Sequence, residues 1–147
     1  MNKIFVVFLL YNFMIIQTLY SQSITENSLP LKAKNFININ FPGNNIENVS
    51  LYQNGGGYEV DIDLGYKFIF YNTGLWKRVF IINNDNNQNG IPRSCLHKSI
   101  VNIIDKEYPK AKITDIERKD KNFVIILDNK NLIEISGYGI IINKEVL

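Results

Sequence analysis

The stretch Leu29-Pro-Leu-Lys-Ala-Lys-Asn-Phe-Ile-Asn-Ile-Asn-Phe-Pro-Gly-Asn-Asn-Ile46 has a second version in the same chain, Leu96-His-Lys-Ser-Ile-Val-Asn-Ile-Ile-Asp-Lys-Glu-Tyr-Pro-Lys-Ala-Lys-Ile113. At an offset of 67 the two pair Leu29 with Leu96, Asn35 with Asn102, Ile37 with Ile104, Phe41 with Tyr108, Pro42 with Pro109 and Ile46 with Ile113. Both read as helices. Leu29, Ala33, Phe36, Ile37 and Asn40 fall on one stripe at helical spacing, as do Leu96, Ile100, Ile103 and Ile104. Pro30 is expected just inside the first helix, where a missing N–H costs nothing. Each helix should stop before its aromatic–Pro pair, because proline pushes the residue ahead of it out of the α region.

Downstream the match continues at an offset of 65, two residues being lost in the glycine turn at Gly55-Gly-Gly57. Tyr58 then pairs with Phe123, Ile62 with Leu127, Asp63 with Asp128, Phe68 with Ile133, Phe70 with Ile135 and Gly74 with Gly139. A length change confined to a turn is what a duplicated unit tolerates. Tyr58, Val60, Ile62 and Leu64 alternate with Glu59, Asp61 and Asp63, the mark of a half-buried strand. Tyr66, Phe68 and Phe70 repeat the pattern after Gly65, and Phe123, Ile125 and Leu127 do so in the second half, with Ile133 and Ile135 after the turn at Asp128-Asn-Lys-Asn131. Short strands so closely spaced fold as antiparallel meanders. The predicted class is α+β: two tandem α-β-β-β-β repeats, each a helix on a four-stranded meander, forming one curved sheet with the helices on one face. The repeats span 29–82 and 91–147, joined by the polar Asn83-Asn-Asp-Asn-Asn-Gln-Asn-Gly90 linker.

Ahead of the first repeat, Lys3 precedes the apolar run Ile4-Phe-Val-Val-Phe-Leu-Leu10, with small residues at Ser21 and Ser23. That is a secretory signal peptide over 1–21, with cleavage after 23 the alternative, and 22–28 a short tail. Asn12 and Gln17 interrupt a run that a membrane anchor would need at roughly 20 apolar residues. The exported chain is expected in the periplasm or outside the cell, with no membrane insertion once the leader is gone.

The Leu29-Pro30 helix start, the Phe41-Pro42-Gly43 stop, the Tyr58-Glu-Val-Asp-Ile62 strand and the Gly74-Leu-Trp76-Lys77 hairpin together resemble the PepSY-like proteins, which are similar in fold to the β-lactamase inhibitor protein. Ile91-Pro92, Tyr108-Pro109, Ile116-Glu117 and Phe123-Val-Ile-Ile-Leu127 repeat the pattern, so the resemblance runs from Leu29 to about Lys144. It implies an exported, non-catalytic tandem domain whose helices lie behind a sheet that can engage a partner. Lys110 stands where the first half has Gly43, and Ile141 where it has Trp76, so inhibition of a particular enzyme does not transfer.

Within the chain, chemistry has little to work with. The 147 residues hold 16 Lys+Arg against 14 Asp+Glu, one His and one Cys. A Cys/His zinc centre and an intramolecular disulfide are excluded, and the small net charge does not suit a nucleic-acid surface. His97, at the start of the second helix beside Ser94 and Ser99, lacks the nucleophile and orienting group a base needs, and serines there are usually caps. Lone Cys95 is expected to be buried near the helix start, pairing between chains in an oxidising compartment being the alternative. Glu59, Asp61 and Asp63 share a strand face without a calcium-loop motif, and Gly55-Gly-Gly57 lacks the Lys-Ser/Thr of a phosphate loop. No cofactor, metal or catalytic residue is expected.

What remains is the sheet face turned from the helices. Alternation places Tyr52, Lys67, Ile69 and Tyr71 there, joined by Trp76, Arg78 and Phe80 if Val79 and Ile81 point inward. In the second half Val124, Ile126, Leu132 and Ile141 follow. A solvated sheet face normally carries polar residues, whereas Trp, Tyr and Arg anchor interfaces. Tyr52, Ile69, Tyr71, Trp76, Arg78 and Phe80 are therefore the candidate partner-binding residues of a monomeric, non-enzymatic module for a protein or peptide, inhibitory action among its uses. Two readings compete with this one. In the first, Trp76 fills the core or the junction between the halves; in the second, the protein is a structural or self-associating component of the envelope.

Overall fold

The computed structural model describes residues 24–53, 55–82 and 89–147. The leader and most of the 83–90 linker lie outside the described residues.

Helix α1 is Leu31–Asn40 and helix α2 is Lys98–Glu107. At 10 residues each, neither is long enough to persist alone in water, and α1 is rich in Asn and Ile, which are weak helix formers. Packing holds them. Leu29, Ala33, Ile37 and Asn40 of the first stripe are buried with Phe36 at their edge, and Leu96, Ile100 and Ile104 of the second are buried with Ile103 at theirs. Pro30 is the residue before the first turn of α1 and not inside it, its ψ of 141° being extended. Phe41 and Tyr108 end the helices as expected, each donating its N–H to the carbonyl four residues back at 2.7 Å.

The strands are β1 (Ile46–Tyr52), β2 (Gly57–Ile62), β3 (Tyr66–Tyr71), β4 (Trp76–Ile81), β5 (Ile113–Lys119), β6 (Asn122–Leu127), β7 (Asn131–Ser136) and β8 (Ile141–Val146). They form one open antiparallel sheet in the order of the chain. Val49, Val60, Phe68, Val79, Ile116, Ile125 and Ile133 stand opposite one another, strand after strand, as one buried row from β1 to β7. Both helices cover this row's side. Phe36 of α1 meets Phe68 and Phe70 edge-on at 6.4 and 6.1 Å, and Glu107 of α2 bonds Lys144, which continues the row opposite Ile133.

The seam between β4 and β5 is the narrowest ladder, Arg78 opposite Glu117, Val79 opposite Ile116 and Phe80 opposite Asp115. A buried hydrogen bond from Tyr66 Oη to the Gly90 carbonyl at 3.0 Å ties α2's approach to β3.

Four bulges interrupt the alternation, at Glu47, Lys77, Thr114 and Ile142, each an extra residue opposite a single partner. Leu64, expected to point inward, instead lies in the turn Asp63–Gly65 at φ 64° and is 52% exposed. The strand ends at Ile62, so its inward pattern ends there too.

Gly74 is a position where backbone freedom and close approach coincide. Its φ is +78°, and a Cβ there would sit 2.8 Å from Pro30 Cβ and 3.1 Å from Ala33 N. Gly43 has a similar φ of +81° with nothing nearby. Gly43→Ala is therefore expected to cost about 1 kcal/mol from the left-handed backbone alone. Gly74→Ala should cost at least about 1 kcal/mol more, because the hairpin must move off α1. Urea unfolding of both variants measures the difference.

Candidate functional site

The face away from the helices is built from residues that alternate with the buried row. One line across it runs Ser50, Glu59, Ile69, Arg78, Glu117, Val124, Glu134 and Asn143. The next runs Asn48, Asp61, Lys67, Phe80, Asp115, Ile126, Leu132 and Glu145. Tyr52 and Tyr71, both opposite Gly57, close the face at the hairpin end of the first half.

Charge on this face is largely self-compensated. Lys67 Nζ bonds Glu59 and lies 3.3 Å from Asp61 Oδ1, and the hydrogen bond to Glu59 holds its ammonium above the usual lysine range. Arg78 forks onto Asp115 through Nε, at 3.0 Å, and Nη2. That pairing strengthens the guanidinium's hold on its proton and lays it over the Phe80 ring at 4.6 Å. Lys77 Nζ stands 5.2 Å from the Tyr52 ring centre.

Five of the six candidates share this face. Tyr71 is 41% exposed, whereas Ile69 is 6% exposed and lies between Glu59 and Arg78 in the ladder. Tyr52, Arg78 and Phe80 are half-buried. Trp76 is the exception. The bulge at Lys77 reverses the alternation, so Trp76 stands opposite Phe70 on the helix side while Arg78 and Phe80 stay on the open side. Trp76 is 6% exposed, stacks on Phe36 at 5.6 Å and approaches Phe123 at 6.0 Å. It fills the junction between the halves. The bulge at Ile142 does the same to Ile141, which pairs with Ile135 on the covered face.

The other candidate groups have structural duties. His97 caps α2, its Nδ1 2.9 Å from Ser99 Oγ, and Ser99 in turn donates to the Gly137 carbonyl at 3.3 Å. Cys95 is buried as expected, and burial pushes its thiol up to about 12. Asp63 leaves the acidic row: it sits in the turn after β2 and accepts from Asn45 N at 3.0 Å and Asn45 Nδ2 at 3.1 Å. Among the described residues no group of three or more His, Cys, Asp or Glu is placed to hold a metal ion, and no helix is long and apolar enough to cross a membrane.

One residue on the covered side had no place in the sequence reading. Arg118, two residues beyond Ile116, shares its helix-side face, its guanidinium 4.5 Å from the Trp76 ring centre and 5.6 Å from that of Phe123. Its position two residues after an inward Ile was the available signal.

A model of the family described as "Putative beta-lactamase-inhibitor-like, PepSY-like" matches residues 15–75 and again 56–143. The chain belongs to this family. No curated protein matches it. Among solved structures it is similar to a "putative periplasmic protein" of the DUF2874 family from Bacteroides vulgatus, with a TM-score of 0.71 and 26% identity, over 83% of this chain and 94% of that one. A second Bacteroides vulgatus protein, described as of unknown function, gives a TM-score of 0.69 at 19% identity over 82% and 94%. A Bacteroides thetaiotaomicron protein described as a "putative calcium-regulated periplasmic protein" gives 0.71 at 22% over 83% and 94%. The last two likenesses concern the fold alone.

Two expectations follow from these positions. Trp76→Ala should cost about 3–5 kcal/mol in urea unfolding, as removal of a buried aromatic does, in place of the near-neutral change a surface anchor would give. For Cys95, the folded thiol titrates above its ordinary value of 9.0, so between there and about 12 the unfolded chain binds fewer protons than the folded one. Stability contributed by the neutral thiol is full below pH 9.0 and is lost as pH rises through that window. Cys95→Ala should flatten this part of the stability–pH curve measured by urea titration.

Proposed function

We propose that this PepSY-like chain is an exported, non-enzymatic module that grips a protein or peptide partner with the sheet face opposite its helices. The observation that carries this reading is the set of apolar side chains on that face which take no part in the core cluster: Tyr52, Tyr71, Phe80, Val124, Ile126 and Leu132. One-sided antiparallel sheets ordinarily turn polar residues to water, whereas this face carries one apolar group at Tyr52 and Tyr71 and another at Val124, Ile126 and Leu132, with Phe80 and paired charges between them. Exposed apolar groups of this kind mark contacts. With the neighbouring charges paired among themselves, the face offers rigid, weakly charged surface more than a steering field. Ile69 and Arg78 form its floor, and Trp76 is no longer part of it.

Export is supported by the basic, apolar and small-residue order of the first 23 residues, and by the periplasmic description of the Bacteroides vulgatus relative at 26% identity. A non-enzymatic role is supported by the duties of His97 and Cys95, one a cap and the other enclosed. We infer too that repeats 29–82 and 91–147 are copies of one unit. It supports this that helices, turns and bulges recur at an offset of 67 through the end of β5 and 65 from β6 onward, as with α1 and α2, Glu47 and Thr114, or Lys77 and Ile142. Inhibition is one use such a face can serve.

A second reading, self-association, is favoured by β8, an edge strand whose Ile142 and Val146 are exposed. Sedimentation of the mature protein across concentration separates the two. For the leading reading, the double variant Tyr71→Ala/Ile126→Ser should keep its urea midpoint and lose about tenfold or more in capture of a partner from periplasmic extract. Undiminished capture by a folded double variant would overturn it.

A further inference from the structure

We propose that Arg118, held against Trp76 and Phe123, is a receptor for the carboxylate of an apolar ligand at the junction of the two halves. This site lies on the helix-covered side of the sheet, opposite the face of the proposed partner contact. The chain has three arginines. Arg78 forks onto Asp115, and Arg93 bonds Asp105 at 2.7 Å and the Ala111 carbonyl at 3.2 Å. Arg118 alone has no acceptor among the described residues, and its Nε is buried without a partner. The adjacent acid cannot help: Glu117 alternates to the other side of the sheet, opposite Arg78 and Val124.

A guanidinium carries five N–H donors, all in its own plane. Stacking on aromatic rings uses the faces of that plane and leaves the donor edge open. The Trp76 and Phe123 rings, their centres 4.5 and 5.6 Å from the guanidinium carbon, hold the charge and supply it no carboxylate or carbonyl acceptor. Burial meanwhile makes the charge costly to keep, lowering the proton affinity of the group. A carboxylate is the planar anion that matches two parallel N–H donors. Arg118 as a whole is only half-buried, so such a group can approach the Nη end. Beside it the partly exposed ring of Phe123 offers apolar surface to whatever bears the carboxylate. Because Trp76 comes from the first half and Arg118 and Phe123 from the second, neither half makes the site alone.

Trp76 is the only tryptophan in the chain, so its emission reports on the site directly. Titration of the whole mature protein with 3-phenylpropionate should change that emission saturably below about 10 mM, with no change from 3-phenylpropionamide. Arg118→Met keeps the stem and removes the fork, and should abolish the response. Arg118→Lys keeps the charge without the fork and should weaken binding about tenfold. Urea unfolding checks each variant, and if the Met variant does not fold, the Lys variant decides. Acetyl-Ala-Phe with a free carboxylate binding more tightly than 3-phenylpropionate would identify a peptide terminus as the source, and the reverse order a small organic acid. Equal response to acid and amide, a wild-type titration by folded Arg118→Met or Arg118→Lys, or no saturation would overturn the proposal.

Discussion

The buried row from Val49 to Ile133 is the constraint on which the molecule depends, and its critical joint is Val79 opposite Ile116. Each half supplies one short helix and four strands, too little surface burial for a chain of that size to be comfortably stable alone. Joining β4 to β5 lets one apolar side run under both helices without a break. On the other side the same joint is clasped by Arg78 and Asp115, a half-buried forked pair. Removing either partner would leave a charge with poor solvation at the narrowest ladder of the sheet.

The two sides of the sheet solve different problems. Apart from Arg118, the covered side is mainly aliphatic and aromatic, with Phe36, Phe41, Tyr66, Phe68, Phe70 and Trp76 meeting in edge-on and stacked arrangements. The uncovered side mixes apolar residues with paired charges, and its character in the second half shifts toward Val124, Ile126 and Leu132. A partner that spans the whole face would meet tyrosines at one end and aliphatic residues at the other. Family membership accounts for the architecture and does not by itself assign a role to these surface residues.

Much of the architecture was legible in the residues. Helix stripes, the aromatic–Pro stops and the strict alternation of Tyr58 to Ile62 are local signals, and all appear where they were read. What alternation could not foresee was its own interruption. Lys77 and Ile142 carry no glycine or proline to mark a bulge, yet each turns its neighbour to the opposite side of the sheet. The spacing of three between Trp76 and Val79, both apolar, was the trace left in the sequence. At Leu64 the left-handed conformation likewise belongs to the turn's geometry and not to the residue type. Each candidate side chain thus lies on the sheet face that alternation assigns it where the strand is regular, and on the opposite face, as with Trp76 and Ile141, where a bulge intervenes.

The strand order has a consequence for how the chain reaches this state. Seven ladders join eight strands, and six of them close between segments separated only by a short hairpin. Such neighbouring closures are entropically cheap and quick. The exception is β4 to β5, where the intervening chain must first thread out, lay down α2 and return. The slow event in assembly is thereby concentrated at a single closure, and until it happens the first four strands present β4 as a raw edge. For a polypeptide emerging into a compartment from its N-terminus, that interval is when mispairing with another chain is the chief hazard.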